Sequence, residues 1–249
     1  MSRIALISCM VMNRELNRLI SESPNIVRAW WLRQGLHDTP QILHDELQRL
    51  IDEIEEENEK LKKQQRFDRI VLGYGLCSNG VIDLHSRSIP VTVARCDDCI
   101  SLFLGSADRY RELFAKYPGI YWYTPGWIEQ SFTPSKENYR LLREEYEEEY
   151  DEDTADYLME CNDQWIANYK SCGFITCPLC DNQEYQCHAR QAAQDFGWDY
   201  HQVEGDLTLM NELINGPWDD ERFLTCPPRS RIVADYSNRK FNSIPEDEV

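Results

Sequence analysis

The chain has 249 residues, a formal net charge of −18 at pH 7, 42% hydrophobic residues and ten cysteines. This length suits one large or two modest domains. The negative charge argues against binding to nucleic acid, because phosphates require a basic surface, and against an anionic membrane surface. The chain begins with an apolar run rather than a signal peptide, and no run approaches membrane-spanning length. We therefore expect a cytoplasmic protein whose cysteines are reduced, buried or bound to metal.

The first half of the sequence alternates short apolar runs with segments of helical periodicity. Short apolar runs of this kind indicate buried parallel strands, and the intervening periodicity indicates helices. Strands are predicted at residues 1–9, 26–32, 69–74, 90–94 and 120–124, and helices at 13–21, 40–65 and 99–115. The alternation predicts an α/β fold with a mostly parallel, doubly wound sheet, in one lobe or two.

The middle of the chain changes in composition. Residues 144–156 contain nine carboxylates and no basic residue. Leucine and tyrosine recur at helical spacing on either side, which favours two helices joined at the acidic stretch. A calcium loop is disfavoured because the alternating carboxylates and central glycine of such a loop are missing. We predict that residues 128–170 form an acidic helical insertion.

The alternation of strands and helices resumes after the insertion. Strands are predicted at residues 173–177, 198–203 and 223–226, and helices at 184–196 and 206–214. We predict an N-terminal α/β lobe at residues 1–127 and a C-terminal α/β half with its tail at 171–249. The part after Ile232 is expected to be loosely held.

Cysteines follow three of the predicted strands. Cys9 ends the first strand, Cys77 follows the third, and Cys96 and Cys99 follow the fourth. The carboxyl ends of parallel strands lie at one edge of a sheet, where ligands usually bind. Neighbouring strands are about 5 Å apart, so these thiols can reach a shared ion or cluster. Soft ligands of this kind suit zinc or an iron–sulfur cluster.

Other residues near these cysteines are candidates for binding a cofactor or substrate. Gly75 would let the backbone approach a ligand closely, and Asn79 would donate a hydrogen bond to a cluster sulfide or an anion. Arg95 would bind an anionic substrate, or would be an ordinary surface arginine. Cys99 begins a predicted helix after two aspartates, either of which can cap that helix.

The cysteines also allow other interpretations. Cysteine is among the most buried of the small residues, so the thiols can be purely structural. A second group contains a pair with the spacing of a redox dithiol or of half a zinc site. This group consists of Cys172, Cys177, Cys180 and Cys187. It can close around one metal ion, or the pair can lie on a loop without a partner.

Three blocks of the sequence carry a family resemblance. These blocks are residues 74–80, 95–106 and 118–127. They resemble the domain of unknown function 1638 family of anaerobic bacteria and archaea. The resemblance implies shared cysteines at the positions of Cys9, Cys77 and Cys99, whereas Cys96, Cys177, Cys180 and Cys187 look like departures. Members are encoded beside corrinoid-dependent methyltransferases, which implies one-carbon metabolism and a partner of that type.

Three hypotheses of function follow. The first is a metal- or iron–sulfur-binding protein, either an enzyme or an accessory in corrinoid-dependent methyl transfer, with Cys9, Cys77 and Cys99 as ligands and Cys96 as a fourth or nearby thiol. The second is a metal-free thiol enzyme in which Cys77 is the nucleophile. The third is a non-catalytic protein whose acidic helices dock on a basic partner.

Overall fold

A computed structural model describes residues 1–237 and 239–248. The strands are β1 Arg3–Cys9, β2 Ile26–Leu32, β3 Arg69–Gly73, β4 Val91–Ala94, β5 Ile120–Tyr123, β6 Ser171–Thr176, β7 Asp199–Glu204, β8 Phe223–Cys226, β9 Ser230–Ala234 and β10 Phe241–Pro245. The α-helices are α1 Asn13–Glu22, α2 Pro40–Lys60, α3 Cys99–Phe103, α4 Ala107–Lys116, α5 Pro125–Gln130, α6 Lys136–Glu149, α7 Glu152–Ile166, α8 Gln183–Phe196 and α9 Thr208–Asn215. The prediction of an α/β protein with a mostly parallel sheet is confirmed.

The chain forms two compact units. The first unit contains residues 1–110 and 206–249, and the second contains residues 111–205. These divisions differ from the predicted ones at 127 and 170, because the chain returns to the first unit after β7. Local periodicity cannot predict this return, because the return depends on contacts between residues far apart in sequence.

The first unit is built on a five-stranded sheet in the order β2-β1-β3-β4-β8. Strands β1 to β4 are parallel, whereas β8 runs antiparallel to β4. Residues 4–9 of β1 are all buried, as expected for a strand covered on both faces of a parallel sheet. This burial explains the apolar run at residues 4–7, which the polar but buried Ser8 follows. The predicted covering of both sheet faces by helices remains a prediction.

The second unit has its own parallel sheet, in the order β5-β6-β7. Its core combines aromatic side chains of the strands, such as Tyr123 and Phe174, with small alanines of α8. Aromatic residues bury large areas, and the alanines let α8 lie close to the sheet. The two helices predicted around the acidic stretch are α6 and α7, and they meet at residues 150–151.

Two features of the structure correct the sequence prediction, and a third observation concerns helices that could span a membrane. The helix predicted at 99–115 is divided into α3 and α4, because Gly105 adopts a left-handed conformation with φ +74°. The part after Ile232 is not loosely held, since β9 and β10 form an antiparallel pair in which Phe241 is fully buried. No helix in the described part of the chain is long and apolar enough to cross a bilayer.

A buried carboxylate anchors the loop that leads into β4. Glu55 of α2 accepts hydrogen bonds from the backbone N–H groups of Arg87, Ser88 and Ile89 at 2.8, 2.6 and 3.2 Å. Burial alone would raise the pKa of Glu55, but the hydrogen bonds from Arg87 and Ser88 outweigh it, so the pKa is lowered. The ionised form is therefore the one that stabilises the fold.

Replacing Glu55 by glutamine is expected to destabilise the protein by about 1–3 kcal/mol at pH 7, because the amide cannot accept all of these N–H groups. The lowered pKa makes this contribution fully present above the unfolded value of about 4.3 and lost as the pH falls through the lower folded value. Urea unfolding at several pH values should show the difference between wild type and variant shrinking in acid. The exposed neighbour provides the control, Glu56→Gln, and an equal effect of both variants would contradict the assignment.

Candidate functional site

The cysteines of the first unit lie at the carboxyl ends of three adjacent parallel strands. Cys9 is the last residue of β1, Cys77 follows β3, and Cys96 follows β4. The sheet order places β1 between β2 and β3, so the strand order reverses between β1 and β3. Ligands of open α/β sheets bind at such a reversal. Cys9 and Cys77 flank this point in the first unit.

Cys77 begins an unusual turn. Cys77, Ser78 and Asn79 have φ values of 44°, 57° and 70°, and the N–H of Gly80 closes the turn on the Cys77 carbonyl at 3.1 Å. Three successive non-glycine residues in the left-handed region are uncommon and strained. Such strain is often found at functional sites.

The segment that carries Cys77 is joined to the loop that carries Cys96. The N–H of Leu76 donates to the Cys96 carbonyl at 2.8 Å, and the N–H of Cys77 donates to the Asp97 carbonyl at 2.9 Å. A Cβ on Gly75 would lie 2.8 Å from the Cys96 oxygen and 2.9 Å from its Sγ. Gly75 therefore permits a close approach, as predicted, but the group that approaches it is the loop that carries Cys96 rather than a ligand.

Asp98 positions the fourth cysteine. Its carboxylate caps α3 by accepting from the N–H of Ile100 at 2.9 Å, so Cys99 is the first residue of that helix. Its second oxygen accepts from the Tyr110 hydroxyl at 2.9 Å. Burial raises the pKa of Asp98, and the Tyr110 hydroxyl and the Ile100 N–H oppose this shift. The expectation that an aspartate caps this helix is met by Asp98.

Backbone N–H groups point at the sulfur atoms of Cys9 and Cys77. Burial raises the pKa of Cys9, and the N–H groups of Val11 and Met10 lower it. Burial likewise raises the pKa of Cys77, to about 12, while the N–H groups of Gly75 and Cys99 lower it. Hydrogen bonds of this kind favour the thiolate. These N–H groups would stabilise both sulfur atoms as thiolates, although burial keeps the thiols protonated at neutral pH.

The thiols of Cys96 and Cys99 lie near other groups that become negative when they ionise. Burial raises the pKa of Cys96 well above its usual value, and the charges of Cys77, Asp98 and Asp97 add to the shift. Burial also raises the pKa of Cys99, with further contributions from Cys77, Asp98, Cys9 and Cys96. The Cys77 thiol thus interacts electrostatically with those of Cys9, Cys96 and Cys99, as expected for cysteines at adjacent strand ends.

Tyr74 is a residue of this region that sequence reasoning missed. It is 4% exposed, and its hydroxyl makes no hydrogen bond within the described residues. Burial raises the pKa of Tyr74, and the charges of Cys9, Cys77 and Cys99 raise it further. A buried hydroxyl without a partner costs about 1–3 kcal/mol. Its position between β3 and Gly75 is a sequence signal, but only the fold shows that it faces the thiols.

The other two predicted binding residues are placed differently. The guanidinium of Arg95 is buried and donates to the backbone carbonyls of Phe223 at 3.2 Å and Arg239 at 3.0 Å, and to the carboxylate of Asp220 at 2.9 Å. These bonds tie the end of β4 to β8 and to the β9–β10 hairpin, so the structure gives Arg95 a structural role instead of anion binding. Asn79 is exposed in the left-handed turn, and its role as a donor stays a prediction.

The second cysteine group does not gather around one point. Cys172 lies within β6 and its thiol donates to the Ala189 carbonyl at 3.4 Å, whereas Cys187 is exposed on α8. Cys177 and Cys180 lie on the loop between β6 and α8. Across residues 1–237 and 239–248, no three His, Cys, Asp or Glu side chains are arranged to hold a metal ion as they stand.

Comparison with known proteins identifies one relationship. No curated protein and no solved structure gives a significant match to the chain. One family model, described as protein of unknown function (DUF1638), matches residues 31–214, a range that includes Cys77, Cys96 and Cys99 and begins after Cys9. Because this match covers more than half of the 249 residues, the chain belongs to the DUF1638 family.

Proposed function

We propose that the first unit binds a soft metal ion or an iron–sulfur cluster through Cys9, Cys77 and Cys99, with Cys96 as a fourth or nearby thiol. The observation that carries this proposal is the convergence of the buried Cys9, Cys77 and Cys96 and the partly buried Cys99 at the ends of three adjacent parallel strands, where the strand order reverses. Thiolates are the preferred ligands of zinc, copper(I) and iron–sulfur clusters.

The electrostatics of the region favour a cation. The groups that act most strongly on Cys96 and Cys99 are other thiols and the carboxyls of Asp97 and Asp98, all of which become negative on ionisation. Ionising several such groups together in a buried region without a counter-charge is costly, because a low dielectric increases both their repulsion and their desolvation penalty. A bound cation would allow the thiols to ionise and would relieve both costs.

Binding requires the thiols to move. The side chains as they stand do not form a coordination shell in the described part of the chain. Each cysteine has one rotatable bond between its backbone and its sulfur, and changing that rotamer moves the sulfur without moving the strand. The backbone N–H groups aimed at Cys9 and Cys77 would continue to support the ionised sulfur after such a rotation.

The number of thiolates would determine what the bound group can do. Three protein ligands leave a position for an outside molecule, as in catalytic zinc sites or clusters with a free iron, whereas a fourth closes the site and makes it structural. The unpartnered hydroxyl of Tyr74 supports the open alternative, since an outside ligand would accept its hydrogen bond. Metabolism of one-carbon units, with a corrinoid methyltransferase-type partner, is the setting that the family resemblance suggests.

The test is chemical analysis of the full chain purified without oxygen. We expect stoichiometric zinc, or iron together with acid-labile sulfide and a visible absorption band. The sample is analysed before and after reconstitution with zinc alone and with iron plus sulfide. A folded chain that takes up neither from an excess would overturn the proposal.

The strained turn at Cys77 also favours a second candidate, a metal-free thiol enzyme with Cys77 as nucleophile. The pKa of about 12 opposes it, because attack requires the thiolate. Iodoacetamide labelling of the metal-free chain distinguishes the two. Rapid and selective alkylation of Cys77 supports the nucleophile, whereas slower labelling of Cys77 than of the exposed Cys161 and Cys187 rules the nucleophile out.

Replacing Tyr74 by phenylalanine should have opposite effects on the free and the metal-bound protein. Removing a buried hydroxyl without a partner leaves the free energy of unfolding of the metal-free chain unchanged or raises it. The same change should weaken metal binding by about 10–100-fold if the hydroxyl supports the bound group, and should shift the thiolate-to-metal absorption of the cobalt(II)-loaded protein.

The matched control is Tyr110→Phe, because that hydroxyl does have a partner in Asp98. This control should destabilise the metal-free chain. Equal metal affinity and identical cobalt spectra for wild type and Tyr74→Phe would show that Tyr74 takes no part in binding.

A further inference from the structure

The second unit contains a cysteine pair that the proposed metal site does not use. Cys177 and Cys180 lie at the carboxyl end of β6, the central strand of the three-stranded sheet, immediately before α8. We propose that these two residues form a dithiol centre that exchanges electrons with low-molecular-weight disulfides. Both residues lie in the second unit, so this proposal does not depend on the metal site.

The local backbone holds the two residues at a suitable separation. Pro178 and Leu179 form a turn between the cysteines. The first and last Cα atoms of a β-turn lie within about 7 Å, and disulfides join Cα atoms about 4.4–6.8 Å apart. Because proline restricts its own φ, Pro178 also reduces the entropy lost when the turn forms. An intramolecular disulfide therefore requires little movement of the backbone.

A single side chain fastens both ends of this turn. The amide oxygen of Asn182 accepts from the N–H of Cys177 at 2.7 Å, and its nitrogen donates to the carbonyls of Cys177 and Cys180 at 2.8 and 2.9 Å. These three hydrogen bonds hold the two cysteines at the two ends of one turn. Fixing reacting groups in this way converts attack by the second thiol into an intramolecular step.

The exposures of the two thiols give the order of the reaction. Cys177 is 3% exposed, whereas Cys180 is only partly buried. The Cys180 thiol loses its proton and attacks an external disulfide, which forms a mixed disulfide and releases one thiolate that takes up a proton. Cys177 then loses its proton and attacks the sulfur of Cys180, which expels the second external thiol. Two protein thiols are oxidised to one disulfide, and one external disulfide is reduced to two thiols.

The experiment treats the reduced full chain with glutathione disulfide under nitrogen, followed by alkylation and tandem mass spectrometry. Trypsin releases the pair in one peptide, residues 171–190, which also contains the exposed Cys187 as an internal control. In the wild-type chain we expect this peptide to lose two hydrogens, with the bond located between Cys177 and Cys180. Cys187 should carry at most a glutathione adduct.

Variants test the assigned order. Cys177→Ser should accumulate glutathione on Cys180, Cys180→Ser should leave Cys177 unmodified, and Asn182→Ala should prolong the mixed disulfide. Circular dichroism of each variant confirms that it folds. The proposal is overturned if wild type keeps glutathione on Cys180 and forms no bond between Cys177 and Cys180, or if both thiols stay reduced while Cys187 reacts. Both outcomes are read from wild-type protein even if a variant fails to fold.

Discussion

Replacing Cys77 by alanine is expected to weaken metal binding by more than about 100-fold. Loss of an outer-sphere hydrogen-bond partner alone costs 10–100-fold in metal affinity, and removal of a ligand should cost more. Cys77 follows β3, which lies between β1 and β4 in the sheet. Its thiol therefore interacts electrostatically with those of Cys9, Cys96 and Cys99. The measurement is metal content per chain after anaerobic reconstitution, together with a competition titration for affinity.

The control for this prediction is Cys161→Ala, which removes an exposed cysteine of α7 in the second unit and should leave metal content unchanged. Because alanine must adopt the left-handed conformation of Cys77, thermal unfolding of the metal-free Cys77→Ala chain shows whether the fold survives. If that chain is folded and binds as much metal as wild type with equal affinity, Cys77 is not a ligand. Cys96→Ala then measures the number of ligands, since binding persists in it if the site has three.

Replacing Arg95 by alanine is expected to lower the free energy of unfolding by about 3–5 kcal/mol. The guanidinium side chain is 2% exposed. Its removal takes this donor from the carbonyls of Phe223 and Phe241, whereas the Arg239 carbonyl keeps the N–H of Phe241. Each unsatisfied buried group costs about 1–3 kcal/mol. Arg95→Lys should rescue little of this loss, because one ammonium group cannot reproduce a planar fork of donors. Urea unfolding of the metal-free chain measures both effects.

The matched control is Arg239→Ala. Arg239 pairs with the same carboxylate, that of Asp220, but from an exposed position. Exposed pairs contribute about 0–1 kcal/mol, so this variant should be nearly as stable as wild type. If Arg95→Ala instead has wild-type stability, the guanidinium is not the structural link between β4, β8 and the hairpin, and its predicted role as an anion ligand would regain support.

The positions of most elements could be predicted because they depend on neighbours in sequence. The second strand was predicted at residues 26–32 and is found as Ile26–Leu32. The two helices around the acidic stretch were likewise predicted from the spacing of apolar side chains. Errors occur where a single residue interrupts a pattern, as Gly105 does by taking a positive φ, or where long-range pairing decides, as it does for the hairpin that buries Phe241.

The candidate site was predicted in part. The positions of Cys9, Cys77 and Cys99 relative to the strands follow from local sequence, and parallel pairing makes their convergence a consequence of the fold class. The sequence predicts Arg95 as a ligand because it lies beside a cysteine. Sequence alone cannot distinguish a guanidinium that faces a substrate from one that binds backbone carbonyls. The role of Tyr74 could not be inferred, since an unpartnered hydroxyl is a property of the packed structure.

The sequence by itself determined that this is an α/β protein with cysteines at its strand ends, because side-chain periodicity and apolar runs are local properties of the chain. Only the tertiary structure decided that β1, β3 and β4 are neighbours, that residues 206–249 rejoin the first unit, and that Cys177 and Cys180 are separate from Cys172 and Cys187. The physical reason is that strand pairing and burial are settled by contacts between residues distant in sequence, whose free energies depend on the whole packed arrangement.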